Sequence, residues 1–248
     1  MNDDLILKKV VNNIVETTEK VQQTPKQDLE NFKRILPTLV DKGIDNINLS
    51  MFDEQTKRNL LNVLGDEYMR RGKLNEAVKA FILVGNQPKL VAIGEDYEKV
   101  GLFSNAVDCY KMAGSQDKLM KVGKKCLDEG KIGDAIKAFK ALNNMEMLVK
   151  VGDFCIEKNK WDYAIEVFGA IKNSAKLCEL GDHCLKDGQI GYASKAYELA
   201  NDKDRLNALG DHCLKQGLFS AALKAYRQAS NEMMIQFIKE NFENQSGF

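Results

Sequence analysis

Four cysteines recur at one position of a repeated pattern, and their chemistry has to be considered first. They are Cys126, Cys155, Cys184 and Cys213, each 29 residues from the next. Cysteine clusters can bind zinc or carry out redox reactions. However, equivalent positions on stacked helix pairs lie about 8–10 Å apart, whereas zinc needs its sulfur ligands about 2.3 Å from one centre. We therefore expect buried thiols that act as small apolar side chains, and the same for Cys109 and Cys178. A metal or redox protein built on this column is an alternative.

The two histidines and the other polar residues form no catalytic motif. His183 and His212 each follow a Gly-Asp pair and lie almost opposite the apolar stripe of a predicted helix. A metal or acid–base role would need a third partner, and no motif places one beside them. The chain also has no phosphate-binding glycine loop and no local signature of a serine or cysteine nucleophile. We therefore predict no catalytic residue, no metal and no cofactor.

Charge and hydropathy argue against several other classes of function. The 248 residues include 36 Lys plus Arg and 36 Asp plus Glu, so the chain lacks a general attraction to nucleic acid or anionic membranes. No apolar run approaches the ~20 residues of a membrane helix, and the start of the chain does not resemble a secretory signal. We expect a cytoplasmic protein with free thiols. A helical array that binds nucleic acid would need a basic stripe and is the second alternative.

The cysteines belong to six repeats with a period of 29 residues. Each repeat has a marker glycine, and these are Gly65, Gly94, Gly123, Gly152, Gly181 and Gly210. A second glycine, replaced once by Asn159, follows after seven residues, an alanine after twelve and an aromatic residue after sixteen. A fixed period in this range indicates stacked helix pairs in a solenoid.

Residue types within each repeat predict where its helices begin and end. The residue 21 positions after each marker glycine is Asn, Asp or Ser, which are the preferred N-caps. The second glycine should end the first helix in a left-handed conformation, which Asn159 also tolerates. A marker glycine inside a helix costs roughly 1 kcal/mol against alanine. We attribute this cost to close approach by the alanine of the second helix, such as Ala193 opposite Gly181.

The repeats divide the chain into three parts. These are a 1–57 N-terminal helical extension, 58–230 six TPR-like repeats and a 231–248 capping helix and tail. Within the extension we expect helices from Asp4 to Val21 and from Asp28 to Gly43, with a weak echo of the repeat, and then a long helix from Met51 to Arg71. In the capping helix Lys239 takes the position of the marker glycine.

The six units resemble the tetratricopeptide repeat (TPR) through the pattern Leu-Gly-x-x-(Tyr/Cys)-x-x-x-Gly-x-x-x-x-Ala-x-x-x-(Phe/Tyr), from about Leu61 to Ala229. The period is 29 residues instead of the 34 of that family, and the terminal proline is found only as Pro88. Shortened repeats are also similar to the helical arms of coat and intraflagellar-transport proteins. The resemblance implies an all-α, right-handed TPR-like α-solenoid of six helix-turn-helix repeats.

The resemblance also implies protein binding on a concave face made by the first helices. One row on that face is acidic apart from Lys124, and consists of Asp66, Glu95, Asp153, Asp182 and Asp211. Beside it lies a mostly apolar row, with Met69, Leu127, Ile156, Leu185 and Leu214. We predict a non-catalytic scaffold or adaptor that binds a peptide or helix segment, with basic residues on the partner. The other interpretation is that these acids are simply solvated and that the apolar row packs neighbouring repeats together.

Overall fold

The structure is a computed structural model that describes residues 25–242, with side chains from Arg34 onward. Throughout this range the regular secondary structure is helical. The α-helices are α1 (Pro25–Lys42), α2 (Glu54–Arg70), α3 (Leu74–Val84), α4 (Gln87–Lys99), α5 (Phe103–Met112), α6 (Gln116–Asp128), α7 (Ile132–Ala141), α8 (Met145–Glu157), α9 (Trp161–Ala170), α10 (Ser174–Lys186), α11 (Ile190–Ala200), α12 (Lys203–Lys215), α13 (Phe219–Ala229) and α14 (Glu232–Phe242). None of them is both long and apolar enough to cross a membrane.

The chain forms two compact units, the first ending at Lys118 and the second beginning at Leu119. In the described part of unit 1, α2 packs with α3 and α4 packs with α5. In unit 2 the pairs are α8 with α9, α10 with α11 and α12 with α13. Each is the first and second helix of one repeat, so the all-α, repeated helix-pair architecture expected from the sequence is confirmed.

The predicted N-caps begin the first helices. The side chains of Asn86, Asn144, Asn173, Asp202 and Asn231 each accept a hydrogen bond from the backbone N–H three residues later. Such a cap typically contributes about 0.5–2 kcal/mol relative to alanine, because it satisfies an N–H group that the helix itself leaves unpaired. Five of the six predicted caps are therefore confirmed by direct hydrogen bonds.

Left-handed residues end the helices where the sequence predicts. The second glycines, such as Gly188 with φ 71°, follow the first helices, and Asn159 takes the same conformation with φ 53°. The second helices end in the same way, at Gly85, Lys172 and Ser230 among others. Because the chain reverses at these residues, each first helix is brought back against its own second helix.

The marker glycines lie against aromatic rings. A Cβ atom placed on Gly65 would lie 2.6 Å from a ring carbon of Phe81, and one on Gly210 would lie 2.6 Å from a ring carbon of Tyr226. The expectation that Ala193 is the close neighbour of Gly181 is wrong, since the nearest atoms belong to the Tyr197 ring. The glycine is needed because the ring, which is buried in the core, lies flat against the first helix.

The N-terminal region departs from the predicted helix limits. The helix expected from Asp4 to Val21 lies outside the described residues. Helix α1 begins at Pro25 and ends at Lys42, before Gly43 with φ 81°. The predicted long helix starts at Glu54 instead of Met51, because the Asp53 carboxylate accepts the N–H groups of the two residues that follow Glu54 and so caps the helix there.

Helix α14 repeats the first-helix pattern once more. Asn231 caps it, and Ile235 and Ile238 are buried, as the apolar stripe predicts. Lys239, in the marker-glycine position, is exposed. The helix therefore continues the repeat without an aromatic ring against its backbone, and its capping role remains a prediction, as do the domain limits at residues 57 and 230.

Candidate functional site

The acidic row is engaged in ion pairs between consecutive repeats. Each acid is paired with a base 23 residues later, at the third position of the next first helix. The pairs are Asp66–Lys89 at 2.7 Å and Glu95–Lys118 at 2.6 Å in unit 1, and Asp153–Lys176 at 2.9 Å and Asp182–Arg205 at 3.2 Å in unit 2. We call these four pairs the ion-pair ladder. The acids are thus not a free rim, although their side chains keep 41–52% exposure.

Tyrosine hydroxyls tie two of these acids to the repeat core. The Tyr197 hydroxyl donates to Asp182 at 2.8 Å, and the Tyr226 hydroxyl donates to Asp211 at 2.5 Å. Asp182 therefore joins its own second helix to Arg205 of the next repeat. Asp211 has no ladder partner because Met234 occupies the basic position. These acids have a structural role that the sequence pattern alone did not reveal.

The apolar row is only partly open to solvent. Met69, Leu127, Leu185 and Leu214 are half-buried, and Ile156 is buried at 8% exposure. Glu98, the polar member of this row, accepts the Tyr110 hydroxyl at 2.9 Å. Packing between helices therefore accounts for part of this row, and a continuous apolar floor is not exposed along it.

An open groove of about 930 Å³ lies in unit 2, between α10 and the start of α12. Helix α10 contributes Asp182, His183 and Lys186 to its lining, and α12 contributes Asp204 and Arg205. Of the ten residues predicted as partner-binding, Asp182 is the one that lines it. Leu185, Asp153 and Asp211 lie on the same set of first helices but outside the groove.

The charges of the groove are arranged around Asp202, the N-cap of α12. Its carboxylate accepts the backbone N–H of Arg205 at 2.9 Å and the guanidinium of the same residue at 2.8 Å. The backbone bond and then the side-chain bond hold the pKa of Asp202 below its usual range. Asp204, two residues on, is exposed and has no side-chain partner among the described residues. It is therefore an acid of the groove that is available to an incoming cation.

Cys178 and Asp204 are groove residues that the sequence analysis missed. Cys178 was expected to be buried, but it is half-buried, and its thiol donates to Asp202 at 3.4 Å. Asp204 was passed over because only positions following the marker glycine were considered. Its place in the first turn of a helix that starts at Asp202 is the signal that could have found it.

The remaining cysteines behave as apolar core residues. Cys109, Cys126, Cys155, Cys184 and Cys213 are buried and free. Burial raises the pKa of the Cys155 thiol to about 11 and that of the Cys184 thiol to about 12. Thiols in such surroundings are protonated near neutral pH and react slowly. Among the described residues no group of three His, Cys, Asp or Glu side chains could hold a metal ion.

Comparison with protein-family models matches residues 67–239 to the IFT140/IFT172 TPR domain. The match covers five complete marker-glycine repeats and most of α14, and it agrees with the resemblance both to TPR proteins and to intraflagellar-transport proteins. A search of curated proteins found no match. Since the matched region covers well over half of the 248 residues, the chain belongs to the IFT140/IFT172 TPR-domain family.

Proposed function

We propose that this protein is a non-catalytic scaffold that binds a segment of another protein in the groove between α10 and α12. TPR-type domains generally mediate interactions between proteins, and the family match supports this class of function. One observation carries the choice of site. The groove in unit 2 brings Asp182, His183 and Lys186 together, and the repeat pattern gives none of the three a role in the helix core.

A partner with basic residues suits the charges of the groove. Its lining includes the carboxylates of Glu179, Asp182, Asp202 and Asp204, against the cations of Lys186, Lys203 and Arg205. Asp202 and Asp182 already bind Arg205, so Asp204 is the acid best placed to receive a lysine or arginine of the partner. Exposed ion pairs such as Asp182–Arg205 typically contribute only about 0–1 kcal/mol, so a partner cation could also displace Arg205.

The location proposed for this activity is a reducing compartment such as the cytosol. All six cysteines of the chain are free thiols. Proteins of oxidising compartments commonly use their cysteines in disulfides, whereas those of the cytosol keep them reduced. A scaffold with a buried, reduced cysteine column fits the second setting.

Charge reversal at Asp204 tests the groove. We expect Asp204→Lys to weaken binding of a labelled helical peptide of lysine and leucine by about tenfold, because it replaces the unpaired carboxylate with a like charge. Fluorescence anisotropy at low and physiological salt would measure the affinity, since pairing at the surface is screened by salt. Asp182 is less suitable for this test, because reversing it also breaks its bonds with Tyr197 and Arg205.

Glu232→Lys is the matched control. Glu232 is also an exposed acid in the first turn of a helix of unit 2, but it lies outside the groove. Both variants therefore lose the same favourable interaction with a helix N-terminus, about 0.3–1 kcal/mol. Equal affinities of the two variants for the peptide would show that the groove is not its binding site.

A further inference from the structure

The ion-pair ladder is interrupted once inside unit 2, and both partners change at that point. Lys124 stands where the other repeats have an acid, and Met147, 23 residues later, stands where they have a base. If only one partner had changed, a charge of the usual sign would remain unpaired. Here the repeat instead has a cation at the acidic position and has lost the competing cation of the next helix.

Lys124 belongs to a group of neighbouring lysines on α6. Lys121, Lys124 and Lys125 are exposed and lie three and four residues apart, so they share one side of the helix. We call these three residues the lysine face. Lys121 and Lys124 have no side-chain partner among the described residues, whereas Lys125 lies in the last turn, where the helix dipole favours a cation. Like charges at this spacing disfavour the helix, and nothing within the described part of unit 2 relieves the repulsion around Lys121 and Lys124.

Apolar side chains occur at the start of the next first helix. Met145, the first residue of α8, is 55% exposed. Met147, which replaces the ladder base, is half-buried. Methionine adapts its shape to different apolar partners and is common at protein-binding surfaces. The region therefore offers cations from α6 and flexible apolar side chains from α8.

We propose that the lysine face, together with Met145 and Met147, binds an acidic protein segment that carries apolar residues. Charge complementarity selects the sign of the partner, and the methionines select a partner with side chains to bury. Exposed Asp128 and Glu146 flank the lysines. A continuous polyanion such as nucleic acid or an anionic membrane would be repelled by these carboxylates, whereas a peptide can place its own acids between them. This surface is independent of the groove proposed above.

The proposal predicts opposite peptide preferences for the two surfaces. A labelled helical peptide of glutamate and leucine should bind the full chain, and Lys124→Glu combined with Lys121→Glu should weaken it by at least about tenfold. The same peptide with glutamine in place of glutamate should bind weakly. Lys224→Glu, which reverses an exposed lysine on α13, is the matched control and should retain the affinity. Asp204→Lys should also retain it, which separates this test from that of the groove.

A second variant restores the ladder and guards against loss of folding. Lys124→Asp with Met147→Lys gives this junction the residues found at the other ladder positions, so its melting temperature should be no lower than that of the native chain. We expect it nevertheless to lose the glutamate–leucine peptide. Retention of the peptide by this folded variant would overturn the proposal. So would RNA or anionic vesicles that compete for the lysine face as well as the unlabelled peptide does.

Discussion

At the scale of single residues, the marker glycines are explained by the aromatic rings that they face. A Cβ on Gly181 would lie 2.7 Å and 2.9 Å from two carbons of the Tyr197 ring, with a third carbon closer still. A buried ring cannot move away as the end of a flexible side chain can. The six helix-interior glycines are therefore retained against their unfavourable helix propensity because no larger residue fits between the helices.

We predict opposite effects for two glycine substitutions in the same repeat. Gly181→Ala should lower the free energy of unfolding, because overpacking a core costs about 1–3 kcal/mol and outweighs the ~1 kcal/mol gained in helix propensity. Gly191→Ala, on α11, should raise it by up to about 1 kcal/mol, because a Cβ there meets no atom within 4 Å. Denaturant titration followed by circular dichroism measures both. A stabilised Gly181→Ala variant would contradict the packing explanation.

At the scale of the helix, capping residues connect one repeat to the next. Asp202 begins α12 by accepting the Arg205 N–H, and the same carboxylate also accepts the Cys178 thiol of the preceding first helix. Asn86 and Asn231 do the same through hydrogen bonds to Asn62 and Asn207, both at 2.7 Å. A single polar residue thus ends the turn, starts a helix and contacts the previous repeat.

Asp202 should make the stability of unit 2 sensitive to acid. Its pKa is held below the usual range in the folded chain, so its charged form stabilises the fold above the ordinary aspartate pKa of about 3.9, and this contribution is lost as pH falls further. Asp202→Asn keeps a capping side chain and removes the charge, so its stability should approach that of the native chain as pH falls below about 4. Thermal melts across this pH range test the expectation.

Two further variants define the size of the Asp202 effect. Asp202→Ala removes both cap and charge and should cost about 0.5–2 kcal/mol near neutral pH. Glu157→Gln removes an exposed carboxylate at the end of α8 that has no side-chain partner among the described residues. It should leave the pH dependence of stability unchanged. If Glu157→Gln and Asp202→Asn behave alike, the capping carboxylate is not the source of the acid sensitivity.

At the scale of the whole chain, the cysteines separate a binding module from a redox protein. Five of the six are buried, with one, Cys109, in unit 1 and the other four in unit 2. We predict that a thiol reagent labels at most one site in the native protein, slowly, and that Cys178→Ser abolishes this labelling. Burial and the bond to Asp202 raise the pKa of Cys178, so its reaction should accelerate as pH rises.

Denaturant provides the control for this labelling. Unfolding should expose the remaining thiols, and mass spectrometry of labelled peptides would show which cysteines react at each concentration. Because Cys109 reports on unit 1 and Cys213 on unit 2, the same measurement follows the two units separately. Two or more fast thiols in the native protein would favour the redox alternative over the scaffold.

Local features of this protein could be predicted from its sequence because the interactions behind them are local. The N-caps, the left-handed residues such as Asn159 and the stripe that ends in Ile235 and Ile238 involve groups within a few residues of one another. Repetition made the prediction firmer, since six copies with one period identify the same boundary six times. The all-α fold and the TPR resemblance follow from these features without knowledge of how the helices pack.

Tertiary structure decided what the repeated residues do. Partners 23 residues apart, such as Asp182 and Arg205, meet only when one repeat is stacked on the next, so the acidic row looked free in the sequence and is paired in the fold. The choice of Tyr197 over Ala193 as the neighbour of Gly181 likewise depends on how the two helices face each other. The groove beside Asp204 exists because a helix end and a helix side diverge, a property of packing that a residue pattern does not contain.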